Sequence, residues 1–180
     1  MTISPLIDHL RQHSLRTDGP YRLRSGATSA WYLDARQTTF SGSGARLVGA
    51  AVLDVLQPGV EVVGGMTMGA DPIALATVIA AADSGRSIRA FSIRKDAKDH
   101  GIGGRLVGPV GPGDRAAVLD DTVTTGGAMF EAIDTLTAAG IEVVQAVSLV
   151  DRSDGEVERE ADRRRLLYTA LISPADLGVA

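Results

Sequence analysis

The sequence predicts an α/β fold, with a mostly parallel central sheet flanked by helices on both faces. Two observations carry this prediction. Short strand-like segments alternate with segments of helical spacing along the 180 residues. Several of the strand-like segments are continuously apolar, the pattern of strands covered on both sides.

Taken in order, residues 4–14 read as a short amphipathic helix. Residues 19–34 mix Gly, Ser and aromatic side chains and predict a small irregular or hairpin element. Gly44 to Leu56 spaces Leu47, Val48, Ala51, Val52 and Val55 along one helix face and stops at Pro58-Gly59. Val60 to Val63 is a short β-branched strand, and Pro72 to Ala82 a helix with Pro at its first position, a favoured place. Ile88 to Ile93 is a second strand. Lys95 to Gly113 holds six glycines and little periodicity, so it predicts a long loop that can include a hairpin. A loop of this length inside a compact domain is normally functional or disordered. Ala116 to Leu119 is a buried strand, and Gly127 to Ala139 a helix closed by Gly140. Glu142 to Val150 is a strand, Glu156 to Arg165 a charged helix, and Leu167 to Ile172 the last strand. No repeat or linker divides the chain, which reads as a single domain, 1–180.

Composition narrows the function. Hydrophobic residues make up 44% and charged residues 22%, as in ordinary soluble proteins. The longest nearly apolar run, Pro72 to Ala82, is too short to span a bilayer, and no signal peptide is recognisable. The absence of cysteine excludes disulfides and thiolate metal sites, and fits a cytoplasmic protein. A net charge of −4 argues against broad nucleic-acid binding. His9 and His13 lie four apart on a helix, but no third ligand supports a zinc site, and they read as surface residues. Gly111 to Ala116 spells GxGxxA but precedes a strand, so it is no dinucleotide fingerprint.

The informative string is AAVLDDTVTTGGA, Ala116 to Ala128. A buried strand ends at Leu119, two carboxylates follow, and a threonine- and glycine-rich turn leads into a helix. Ligands of open α/β sheets sit beyond the carboxyl ends of strands. The N–H groups of such a turn, with the helix N-terminus, favour an anion such as a phosphate monoester. Asp120 and Asp121 are acceptors only, repel phosphate, and suit sugar hydroxyls. Phosphate and diol together specify ribose 5-phosphate.

The whole string resembles the signature that binds phosphoribosyl pyrophosphate (PRPP) in type I phosphoribosyltransferases. The resemblance implies that fold, with a small N-terminal hood over about residues 1–40. It implies that Asp120 and Asp121 meet the ribose hydroxyls. Thr122, Val123, Thr124, Thr125, Gly126, Gly127 and Ala128 then wrap the 5′-phosphate. A second string, RKDAKDHGIGGR from Arg94 to Arg105, resembles the catalytic loop of orotate phosphoribosyltransferases, with Asp96 where most relatives have Glu. By that resemblance Arg94, Lys95, Lys98 and His100 contact pyrophosphate, with Arg94, Lys98 and His100 in catalytic roles. The flexible loop, about residues 94–113, partly serves a neighbouring subunit's site, which implies a homodimer with shared active sites. Such donors stabilise the charge that builds on departing pyrophosphate, and a closed lid excludes water.

Orotate needs a cation for its carboxylate and a flat surface for its ring. Arg24-Ser25-Gly26 and Ser29 to Asp34 resemble the family's hood, although many members have Lys at the place of Arg24. Tyr32 and Leu33 fall where the family lines the base pocket, and a purely core role for Trp31 and Tyr32 is an equal reading. Val150-Asp151-Arg152 resembles the family's Asp-Arg after a strand, which assigns Arg152 to orotate, with Thr124 beside it. Val63 to Pro72 resembles the pyrophosphate-binding loop, but Met68 stands where many members carry Lys. Mg²⁺ is implied, carried mainly by PRPP near Asp120 and Asp121, with no protein-only metal cage. Two other readings remain open: a type I enzyme for another base, and a PRPP-sensing regulator without catalysis.

Overall fold

The computed structural model describes residues 3–22, 26, 28–98 and 104–179, with residues 97 and 98 described by backbone alone. Its centre is a six-stranded sheet of β5 (Val62–Met66), β6 (Arg89–Lys98), β7 (Gly104–Val107), β8 (Arg115–Val123), β9 (Glu142–Asp151) and β10 (Leu167–Ile172). Their order is β10-β9-β8-β5-β6-β7, parallel throughout except for the antiparallel pair β6–β7. Six helices are described: α1 (Ser4–His13), α2 (Arg36–Thr39), α3 (Gly42–Val55), α4 (Ala70–Asp83), α5 (Gly127–Ala138) and α6 (Glu156–Arg163). The short strands β1 (Leu15–Arg16) and β4 (Tyr32–Leu33) pair with each other, as do β2 (Tyr21–Arg22) and β3 (Thr28–Ser29). These two ribbons make the hood.

The side-chain alternation of a strand explains why both faces are covered. On β8, Ala117 and Leu119 enter a core shared with α1, α3 and α4, through Leu10, Val52 and Ile73. Ala116 and Val118 enter the opposite core, with Met129, Phe130 and Leu136 of α5. Each such fully buried large side chain contributes roughly 1.5–3 kcal/mol. Helices α3 and α4 meet at Gly49, where an added Cβ would lie 2.3 Å from the Ala76 carbonyl oxygen. Ser41 caps α3 by accepting the Gly44 N–H at 3.1 Å. Buried Gln145 closes its other end, accepting from Gln57 N–H at 2.9 Å and donating to the Val55 carbonyl at 3.0 Å.

Several boundaries differ from the sequence expectation. Strand β5 starts two residues late and runs through Gly64 and Gly65, which were read as the start of a loop. A Cβ there would meet the Phe91 and Leu119 carbonyl oxygens at 2.0 and 2.3 Å, so only glycine fits between the neighbouring strands. Helix α4 begins at Ala70, which puts Pro72 in its third position. Much of the expected 95–113 loop is a hairpin: β6 continues to Lys98 and returns as β7. Strand β8 continues to Val123, so Asp120 and Asp121 sit within its C-terminal part and not after it. His9 is no free surface residue. Its ring nitrogens meet Thr38 Oγ1 at 3.1 Å and Ser43 Oγ at 3.0 Å, tying α1 to α2 and α3.

Candidate active site

At the carboxyl-terminal parts of β5, β6 and β8 lies a cleft of about 790 Å³. Its walls are the hood from Tyr32 to Arg36, the β5–α4 turn from Met66 to Gly69, Lys95, the segment Asp120 to Thr122, and Ala128 and Glu131 of α5. The acidic pair forms the floor. Asp120 Oδ1 accepts the Asp121 N–H at 3.0 Å, and Asp121 Oδ1 accepts the Thr122 N–H at 2.7 Å. Burial, then the neighbouring Asp121 charge, pushes the Asp120 carboxyl up to about 7. Burial also raises Asp121, while the Thr122 N–H and the Arg36 charge oppose the shift. Two desolvated carboxylates side by side await donors or a cation.

After the pair, Val123 is buried, and Thr124 and Thr125 are exposed. Gly126 takes φ +72°, and α5 begins at Gly127 without a side-chain cap. A Cβ on Gly126 would meet Phe130 at 2.7 Å and Val157 at 2.8 Å, so the turn demands glycine twice over. The first N–H groups of α5 lack intrahelical partners and are available to an anion. Val123 has its side chain in the core, so it offers only backbone. In the β5–α4 turn, Met68 is exposed and Thr67 Oγ1 donates to Asp71 at 2.6 Å. The Thr67 N–H is already committed to the Ile93 carbonyl at 2.9 Å, so an anion there has only the N–H groups after it.

At the hood end, the Arg152 guanidinium stacks over the Trp31 ring, 3.7 Å from its centroid. Burial lowers the Arg152 pKa from the usual guanidinium value. Tyr32 and Leu33 both line the cleft; Tyr32 is exposed, and Leu33, 6% exposed, is anchored in the core beneath. Asp151 does not bond the Arg152 side chain. Its Oδ1 accepts the Ser153 N–H at 2.6 Å and its Oδ2 the Tyr168 hydroxyl at 2.9 Å, so it fixes the backbone turn that carries Arg152. Ser148 Oγ lies 2.6 Å from the same hydroxyl.

The hairpin places Lys95 on the cleft and Arg94 beside it, half-buried. Arg105 braces the hairpin root: its Nε donates to the Arg94 carbonyl at 2.7 Å, and it pairs with Glu131. Lys98 is placed by backbone pairing with Gly104. Arg24 and His100 lie outside the described residues. The sequence reading passed over Arg36 and Glu131, both on the cleft wall; the Asp34-x-Arg36 spacing was the available signal for the first. Among the described residues, no group of three or more His, Asp or Glu side chains is arranged to hold a metal ion.

No family model matches the chain. Curated relatives do. It is 40% identical to the orotate phosphoribosyltransferase of Streptomyces coelicolor over 162 residues, 89% of each protein. It is 35% identical to that of Rhodopirellula baltica over 184 residues, 98% of this chain and 94% of the other. Among solved structures, the orotate phosphoribosyltransferase of Mycobacterium tuberculosis H37Rv superposes with a TM-score of 0.87 at 32% identity, covering 98% of this chain and 99% of that one. The same enzyme in complex with 5-phospho-α-D-ribosyl 1-diphosphate gives 0.81 at 31% identity, with 98% and 99% covered. The adenine phosphoribosyltransferase of Leishmania tarentolae, at 13% identity and a TM-score of 0.65, covers 98% of this chain and 89% of that one and shares the fold alone.

Proposed function

This chain belongs to the orotate phosphoribosyltransferase family, and from that premise we propose that it transfers ribose 5-phosphate from PRPP to orotate. The products are orotidine 5′-monophosphate and pyrophosphate, a step of pyrimidine biosynthesis. One observation carries the reading: the acidic pair Asp120–Asp121 and the uncapped start of α5 share one short segment on the floor of a single cleft. A sugar diol would find acceptors in the acidic pair, and its 5′-phosphate donors at the start of the helix.

In this reading Asp120 and Asp121 accept the ribose 2′- and 3′-hydroxyls, and the segment Thr122 to Ala128 holds the phosphate. Tyr32, Arg152 and Arg24, with Thr124, hold the base. Holding base and sugar in line removes much of the entropic part of the barrier. The orotate nitrogen bonds to the anomeric carbon as its C–O bond breaks and pyrophosphate leaves with the electron pair, while the proton of that nitrogen passes to the departing pyrophosphate or to solvent. Arg94, Lys95, Lys98 and His100 meet the charge that builds on the leaving group. The acidic floor fits a divalent cation brought in with PRPP, because two desolvated carboxylates with raised pKa values gain from positive charge nearby. Bound Mg²⁺ would offset pyrophosphate charge.

The working unit is a homodimer with shared sites. Supporting it, Phe40, Leu75 and Ile79 are 60%, 59% and 63% exposed, and an alanine-rich groove runs between α3 and α4. A cytoplasmic location fits the cysteine-free sequence and the lack, among the described residues, of a helix long and apolar enough to cross a membrane.

Incubating the protein with Mg-PRPP and a panel of bases, and following pyrophosphate release, tests the assignment. Turnover is expected with orotate alone. Turnover with hypoxanthine or uracil instead means another base, and PRPP binding without turnover means a regulator.

A further inference from the structure

The cleft carries an imbalance of charge. Asp34, Asp120, Asp121 and Glu131 line it, Glu131 being already paired with Arg105, against two cations among the described lining residues, Arg36 and Lys95. The β5–α4 turn contributes no cation, since its exposed side chain is Met68. A diphosphate ester entering this cleft therefore needs positive charge from elsewhere on the wall.

Arg36 is built to supply it. As the first residue of α2 it stands at the hood's rim, facing the acidic floor. Asp34 orients it, with Arg36 Nε donating to Asp34 Oδ1 at 2.8 Å. Asp34 is itself held by Gln37, whose Nε2 donates to Oδ2 at 3.1 Å. Among the described residues, the two terminal nitrogens of Arg36 make no hydrogen bond, and its side chain is 50% exposed. The charge is felt at Asp121, so the guanidinium lies within electrostatic reach of the sugar site. A purely structural ion pair would not need to face the cleft. A guanidinium anchored through Nε presents its other two nitrogens as a fork, the geometry that holds phosphate oxygens in pairs.

We infer that Arg36 is a substrate-binding residue for the diphosphate of PRPP, supplying from the hood the positive charge that the β5–α4 turn lacks. This rests on reading the cleft as a PRPP site. Diphosphate would then be gripped from two sides, by Arg36 on the hood and by Lys95 on the hairpin.

The experiment compares three probes without orotate: PRPP, inorganic pyrophosphate and ribose 5-phosphate. Their affinities are read from thermal protection and titration calorimetry for wild type, Arg36→Ala and Arg36→Lys. Arg36→Ala is expected to weaken pyrophosphate and PRPP by about tenfold or more, the worth of a charge-assisted hydrogen bond. Ribose 5-phosphate, which lacks the diphosphate, should be unaffected within twofold. Arg36→Lys should recover part of the loss, and in steady state the KM for PRPP should rise more than that for orotate. Melting of each variant without ligand shows that it is folded. Equal pyrophosphate affinity in wild type and Arg36→Ala overturns the inference, as does an equal loss for ribose 5-phosphate. A wild-type protein that binds none of the three probes sinks the underlying PRPP reading instead.

Discussion

Replacing Asp120 by Asn should make the ligand-free protein more stable at pH 8 and worse at binding its sugar. Asn keeps an oxygen for the Asp121 N–H and removes the buried charge. In the folded chain the Asp120 carboxyl titrates at about 7, against 3.8 for the unperturbed group. Between those values the folded chain retains a proton that the unfolded chain has released. Stability therefore falls as pH rises through this window, and the full penalty is present above it. A shift of this size corresponds to a penalty on the order of 4 kcal/mol. For a chain of this length that is about 10 °C in melting temperature. Urea unfolding from pH 4 to 8 measures it. Wild type should lose stability as pH rises, Asp120→Asn should vary less, and the two should converge near pH 4. A variant less stable than wild type at pH 8, or a difference independent of pH, would refute the account of a charge held at a cost for function. PRPP protection should fall in the same variant, since its amide cannot replace the ionised acceptor.

Lys98→Ala should lower kcat far more than it weakens PRPP binding, because its contact strengthens as pyrophosphate departs; unchanged kcat removes Lys98 from the mechanism. Mixing Lys98→Ala with Asp121→Asn chains, each inactive alone, should restore roughly a quarter of wild-type activity if sites are shared across a dimer. No recovery after verified subunit exchange argues for self-contained sites. Arg152→Ala should raise the KM for orotate while leaving PRPP protection intact; an unchanged KM for orotate excludes it from the base site. Gly126→Ala should destabilise the chain by about 2 kcal/mol or more, through strain at φ +72° and contact with Phe130 and Val157, read by denaturant unfolding.

Long periodic segments were the legible part of the fold. The spacing of Leu47, Val48, Ala51, Val52 and Val55 located α3, and continuous apolar runs located β8 and β9. Glycine-rich stretches misled, because glycine serves turns and crowded strands alike. Gly64 and Gly65 lie in the middle of the sheet for want of space, which no local pattern reveals. The four-residue α2 was too short to show a period. Within the site, the run from Asp120 to Ala128 was readable because its parts are contiguous. The stacking of Arg152 on Trp31 joins distant segments and appears only on folding. Arg36 was hidden for a similar reason: beside Asp34 it reads as a local ion pair, and only the folded cleft shows where its free nitrogens lie.

The antiparallel strand β7 has a second consequence. It finishes the sheet on the β6 side, covering backbone groups that would otherwise offer a template for another chain. The same hairpin carries the cations proposed for turnover. An engineer who trims it to leave an inert PRPP-capturing module would uncover the flank of β6. Such a truncation is expected to exchange lost chemistry for self-association, so an inert sensor is better made by neutralising side chains than by deleting the segment.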